Sequence, residues 1–134
     1  VEGGFYNGTI FNGVRNGLMI QGGGVTADMQ QTPARASITN EADNGLRNRR
    51  VTVAMARTMD PHSATAQFFI NTADNTFLDH KGKTNSGWGY CVFGKVIEGM
   101  DVVDAIENMP TTTKAGCQDV PASPAVIERA IIEK

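Results

Sequence analysis

Two short apolar runs joined by a loop of small and polar residues limit what this chain can become. The first ends in Met55-Ala56-Arg57-Thr58, the loop passes Asp60, Pro61 and His62, and the second is Gln67-Phe68-Phe69-Ile70-Asn71. Runs this short, bounded by turn residues, read as two strands with an irregular connection. On a strand, Gln67 and Phe69 share one face while Phe68 and Ile70 take the other. An amide beside a phenyl ring can line a groove for an apolar group that carries a carbonyl. The same pair also fits a core ring next to a solvated edge amide, because aromatic residues are commonly buried.

Turn signals recur along the chain. Asn7-Gly8, Asn12-Gly13, Asn16-Gly17 and Asn44-Gly45 join residue types that tolerate positive φ. Residues 5–11 read as a strand or loop, residues 90–96 as a strand, and residues 125–132, after Pro121 and Pro124, as a closing strand. Residues 75–79 read as a single helical turn. Residues 80–89 form a polar loop, and residues 25–48 form a long connection of a kind that is uncommon unless functional, expected to border the groove. One helix is predicted over 99–109, with Val102, Val103 and Ile106 as its apolar stripe and Pro110 as its stop. Many short strands and one helix predict a mainly β, antiparallel domain. A chain of 134 residues is expected to form one domain, residues 1–134.

Charge and composition remove several function classes. A formal net charge of −2, with no basic cluster larger than Arg47, Arg49 and Arg50, argues against a nucleic-acid or membrane-binding face. No apolar segment approaches the roughly 20 residues of a membrane helix. Cys91 and Cys117 make no disulfide framework, and Cys91 reads as a small buried hydrophobe. His62 and His80 lie in polar loops without ligand spacing, so neither a metal nor a cofactor is expected. Ser63 lacks the glycine pattern of a nucleophile elbow. Gly22-Gly23-Gly24 is followed by neither a helix pattern nor a lysine, so it fails as a phosphate cradle and reads instead as close backbone approach beside a groove.

Several motifs agree on a family. Met19-Ile20-Gln21-Gly22-Gly23, Met55-Ala56-Arg57, residues 63–70 and residues 92–103 resemble, in order and spacing, the cyclophilin family of peptidyl-prolyl cis-trans isomerases, of bacterial type. The resemblance runs from about residue 4 to residue 134. It implies an eight-stranded antiparallel barrel capped by two helices. The segment that carries the first two strands and first helix is not in this sequence, so an incomplete barrel with one C-terminal helix is expected. Unpaired edges invite another strand, which makes an edge-paired dimer the expectation if the chain is complete. The stretch from Gly87 to Cys91 resembles cytoplasmic members, with a periplasmic location as the alternative.

Rotation about a peptide bond breaks amide resonance against a barrier of about 18–20 kcal/mol, yet before proline the isomers differ by only about 0.5–1 kcal/mol. A catalyst therefore needs no nucleophile. It must grip the proline ring, steady the carbonyl and weaken resonance at the imide nitrogen. By resemblance, Leu18, Met19, Phe69 and Leu78 form the proline pocket, with Phe77 and Tyr90 where many eukaryotic members carry tryptophan and histidine. Those two changes imply weak binding of cyclosporin. Gln21 and Gln67 are implied as hydrogen-bonding partners, and the backbones of Ala56 and Arg57 as the hold on the substrate chain.

One position departs from the family. Gly13 stands where its motif has the arginine that donates toward the proline nitrogen, and losing a preorganised donor costs on the order of 10² to 10³ in rate. Arg15 shares the face of residue 13 on a regular strand. The resemblance puts an apolar core residue there, and burying a charge is costly, so rescue by Arg15 is a minor expectation. Two readings follow: an isomerase for Xaa-Pro bonds in peptides and unfolded proteins, impaired at Gly13, or a non-catalytic, chaperone-like module that binds proline-containing segments.

Overall fold

Alternation decides where each strand residue goes. The computed structural model describes residues 1–133. In it the apolar runs become strands β1 (Gly13–Arg15), β2 (Met19–Gly22), β3 (Thr52–Met55), β4 (Phe68–Asn71) and β5 (Val92–Lys95). They form one antiparallel sheet in the order β1-β2-β4-β3-β5. One face buries Val14, Ile20 and Ile70 beneath helix α1 (Met100–Glu107), with Phe11, Val53, Phe68 and Val96 packed around them. The opposite face gathers Ala54, Ala56, Phe69 and Val92, flanked by Met19, Leu78 and Tyr90. Phe68 and Phe69 thus serve different faces, as the period of two requires. Burying a side chain as completely as Ile20 contributes about 1.5–3 kcal/mol.

Helix α1 is shorter than the predicted 99–109 and turns a different stripe inward. Gly99 precedes it at φ 92, in the left-handed region, a conformation that glycine adopts without a Cβ penalty. Met100, Val103 and Ile106 face the core, spaced at three residues as helical geometry favours. Val102, placed in the stripe by the sequence reading, is 58% exposed. At 3.6 residues per turn it lies a quarter-turn away from Val103.

Two further differences concern the C-terminal third. Strands β6 (Thr111–Lys114) and β7 (Cys117–Pro121) form a two-stranded sheet that the sequence reading did not anticipate. Its turn, Ala115-Gly116, has positive φ at both residues, the conformation that matches the twist of a tight hairpin. The predicted closing strand over 125–132 is not a strand. Its backbone pairs with the segment before β1 through Phe11 N–H to Ala125 C=O, Ile127 N–H to Thr9 C=O and Gly8 N–H to Ile127 C=O. Beyond that, Ile131 and Ile132 are exposed. A strand needs a continuous partner ladder, and among the described residues none accompanies 128–132.

The sheet does not close into a barrel, and β5 forms an edge. Cys91, expected to be buried, is only half-buried and borders an apolar recess with Ile38, Met55, Ala64 and Phe93. Burial is nevertheless enough to raise its thiol pKa above the ordinary range.

Buried amides tie the site-bearing elements together. Asn71 at the end of β4 donates to Asn48 Oδ1 at 3.1 Å and to Thr52 Oγ1 at 2.9 Å. Asn75 donates to Asn71 Oδ1 and to the Leu18 carbonyl, both at 2.8 Å. Asn48 N–H in turn donates to Asp79 Oδ1 at 2.6 Å. This network fixes the β1–β2 turn and the short 3₁₀ turn Thr76–Leu78 against one end of β4. Satisfied buried polar networks of this kind hold a single arrangement, because breaking one partner strands the rest.

Candidate functional site

The site is built where β2, β4 and the residues following β3 present one face. Register places Gln21 opposite Phe69 across β2 and β4, and Ala54 opposite Phe69 across β3 and β4. Phe69 is 3% exposed and meets the Tyr90 ring edge-on at 5.7 Å between centroids. The 3₁₀ turn brings in Leu78, whose carbonyl accepts the Tyr90 N–H at 2.8 Å. Together with Leu18 and Met19 these residues enclose a recess of about 240 Å³. Phe77 stands at the rim, 62% exposed.

The amides border this apolar floor. Gln21 Nε2 donates to Gln67 Oε1 at 3.1 Å, and the Gln67 carbonyl accepts the Ala56 N–H at 2.9 Å. Gln67 can lie this way because of Gly24. A Cβ there would come within 2.4 Å of Gln67 Cδ, so the close approach expected of the glycine run is present at that residue. A second recess of about 240 Å³ adjoins the first across Gln21, Ala56 and Arg57 and is walled by Gln31, Thr58, Ser63, Thr65 and Gln67. Gln31 belongs to the long connection over 25–48, which does border the groove. Sequence reasoning did not single out Gln31, Thr58 or Thr65, since isolated polar residues in loops carry no periodic signal.

Arg57 is held in place by three contacts. Its Nε donates to the Gly89 carbonyl at 2.9 Å, its Nη1 donates to the Thr58 carbonyl at 2.8 Å, and its guanidinium carbon lies 4.6 Å from the centre of the Tyr90 ring. Behind it, Trp88 is packed edge-on by His62 and His80, with centroids at 4.9 and 5.1 Å. Both histidines are thereby occupied in holding loops. Ser63 Oγ accepts from the Thr58 N–H and hydroxyl and donates to the Asp60 carbonyl at 2.6 Å, so its hydroxyl latches the loop.

The two positions in question on β1 come out differently. Gly13 pairs with Gln21, and a Cβ there would meet Gln21 Cβ at an ordinary 3.5 Å. A side chain at residue 13 therefore fits over the amide pair, and none is present. Arg15, opposite Met19, lines the recess. It is not a buried core residue: its side chain is 60% exposed, with Nε 3.4 Å from Asp119 Oδ2.

Among the described residues, the recess is lined by no carboxylate, histidine or cysteine. Among the described residues, no group of three or more His, Cys, Asp or Glu side chains is placed to hold a metal ion, and no helix is long and apolar enough to cross a membrane. What the arrangement offers is an apolar slot, an adjacent amide pair, and backbone carbonyl and N–H groups at its margin.

Comparison with known proteins identifies the family. Residues 1–132 match the family described as cyclophilin type peptidyl-prolyl cis-trans isomerase/CLD. The chain is 64% identical over 132 residues to peptidyl-prolyl cis-trans isomerase cyp18 of Streptomyces antibioticus, covering 98% of this chain and 80% of that protein. It is 54% identical over 131 residues to peptidyl-prolyl cis-trans isomerase B of Escherichia coli K12, with the same coverage of 98% and 80%. Among solved structures, a Cryptosporidium parvum cyclophilin type isomerase crystallised in the presence of the dipeptide Ala-Pro superposes with a TM-score of 0.76. It is 25% identical and the match covers 99% of this chain and 79% of that one.

Proposed function

Because this chain belongs to the cyclophilin-type peptidyl-prolyl cis-trans isomerase family, we propose that the recess over Phe69 receives the proline ring of Xaa-Pro segments and that turnover there is slowed by Gly13. The observation that carries this reading is the juxtaposition of the apolar floor of Met19, Phe69 and Leu78 with the Gln21–Gln67 amide pair. The ring fills the slot, the amides reach the carbonyl before it, and the backbone beside Ala56 and Arg57 holds the chain. With the ring fixed and the carbonyl steadied, rotation about the imide bond transfers no proton and needs neither an acid nor a base.

Gly13 supplies no donor toward the imide nitrogen, and removing such a donor costs on the order of 10² to 10³ in rate. That same bare position favours a second reading, a chaperone-like module that holds proline-containing segments of unfolded clients without accelerating them. Phe77 at the rim is compatible with weak cyclosporin binding.

Titration of the chain with Ala-Pro, followed by amide NMR, tests the recess. Shifts are expected at Gln21, Phe69 and Tyr90, with binding lost in Phe69→Ala. Shifts confined to the recess of Ile38 and Phe93 would overturn the assignment.

A further inference from the structure

The charge around the recess does not match the charge of the molecule. The chain carries a net −2, yet among the described residues the charged ones lining the recess are Arg15 and Arg57, and no carboxylate joins them. The sheet order puts β1 and β3 on opposite sides of β2 and β4. Arg15 and the end of β3 are therefore separated by three strand spacings, roughly 14 Å. A bound segment that crosses the recess runs between two guanidinium groups.

The two arginines are not equivalent. Arg57 has its Nε and Nη1 spent on the Gly89 and Thr58 carbonyls and its plane against Tyr90. Among the described residues Arg15 has one ionic partner, Asp119, through Nε at 3.4 Å, and both side chains are well exposed, 60% and 42%. Exposed single-point pairs contribute little, because water screens them and two side chains must be held still. The planar fork of an arginine matches a carboxylate in two-point geometry that this contact does not use. Arg15 is therefore a cation available for exchange at the mouth of the slot. Asp119 lies on β7, outside the recess, and serves as its resting partner.

From this we infer that Arg15 is a specificity-determining residue that selects proline segments carrying a carboxylate side chain next to the proline, with Asp119 as the competing anion. The inference rests on the recess receiving the proline ring. It names the substrate class as acidic Xaa-Pro or Pro-Xaa segments, and it assigns Arg15 a role in binding rather than in donation to the imide nitrogen.

Three peptides with Glu, Gln or Lys on both sides of a single proline separate these points. Dissociation constants are measured by NMR titration at low and high salt. The expected order is Glu tightest and Lys weakest, with about a fivefold span at low salt that collapses at 0.5 M salt. In Arg15→Gln the Glu-to-Lys ratio falls to near twofold or less, whatever the affinity for the Gln peptide. In Asp119→Asn the preference for Glu widens, and asparagine tolerates the positive φ of 61 found at this residue. An unchanged Glu-to-Lys ratio in Arg15→Gln, or an unchanged ratio in Asp119→Asn, overturns the inference and leaves the recess reading standing. If the neutral peptide fails to bind the parent chain, the recess reading falls and this inference falls with it.

Discussion

The site-bearing face and the β5 edge of the same sheet are finished to very different degrees. On the site face Phe69 is 3% exposed, Leu78 and Tyr90 are bonded to one another, and Asn48, Asn71 and Asn75 form a closed chain of hydrogen bonds. At the β5 edge, by contrast, Phe93 is 56% exposed and the nearby Ile97 is 89% exposed. The contrast teaches that the recess depends on β2, β4 and the turns behind them, not on closure of a barrel. The amide network holds the slot locally, whereas the outer edge presents apolar side chains and unpaired backbone groups to solvent.

Breaking the finished face has the largest expected effect. Phe69→Ala removes a buried ring that contacts both the floor and Tyr90, and it should destabilise the chain by about 3–5 kcal/mol, read as a fall in the urea midpoint. A loss under 1 kcal/mol would mean that the face is looser than described. Next in size is Gly24→Ala. The new methyl would collide with Gln67, displacing the Gln21–Gln67 pair at a cost of about 1–3 kcal/mol and weakening peptide binding more than a general loss of stability explains. Chemical shifts of the Gln21 and Gln67 side-chain amides report this directly.

Changes on the unfinished edge should be mild for stability and strong for association. Phe93→Lys places a charge on an exposed edge strand, a common defence against edge pairing. It should shift stability by no more than about 0.5 kcal/mol while reducing any concentration-dependent self-association seen by analytical ultracentrifugation. A large stability loss would show that Phe93 is core after all.

The smallest effect concerns acid. Arg50 Nη2 pairs with Asp104 Oδ2 at 2.9 Å, and this hydrogen bond lowers the Asp104 carboxyl below its ordinary 3.8. A depressed folded-state pKa contributes stability that is present above 3.8 and disappears as pH falls through the lower folded-state value. Both groups are exposed, so the effect is slight. The stability of Asp104→Asn should converge with that of the parent chain only below about pH 4, the ordinary range for an aspartate.

Much of this was legible in the sequence, for identifiable reasons. Strands β2, β3 and β4 announced themselves because each is a short apolar run, ending at Gln21, Met55 and Asn71, between turn residues. Phe68 and Phe69 were correctly assigned to opposite faces by the strand period of two alone. The site residues Leu18, Met19, Gln21, Phe69, Leu78 and Tyr90 were implied by the family resemblance, and the structure brings them together around one recess. The β6–β7 hairpin was missed because Thr111-Thr112-Thr113 has no apolar alternation and its turn uses Ala115-Gly116 instead of Asn-Gly. Residues 125–132 look like a strand because their apolar content suits one, but a strand forms only where a partner supplies the ladder. At Arg15 the resemblance implied an apolar core residue, whereas the side chain here is 60% exposed beside Asp119.

The central claim is that an intact groove lacks one donor at Gly13. Exchange between cis and trans Xaa-Pro in a short peptide, measured by NMR with the parent chain and with Gly13→Arg, tests it most directly. Similar peptide affinity is expected, with exchange faster in the variant by on the order of 10². Equal and substantial exchange in both would contradict it, because another group would then already be serving the imide nitrogen.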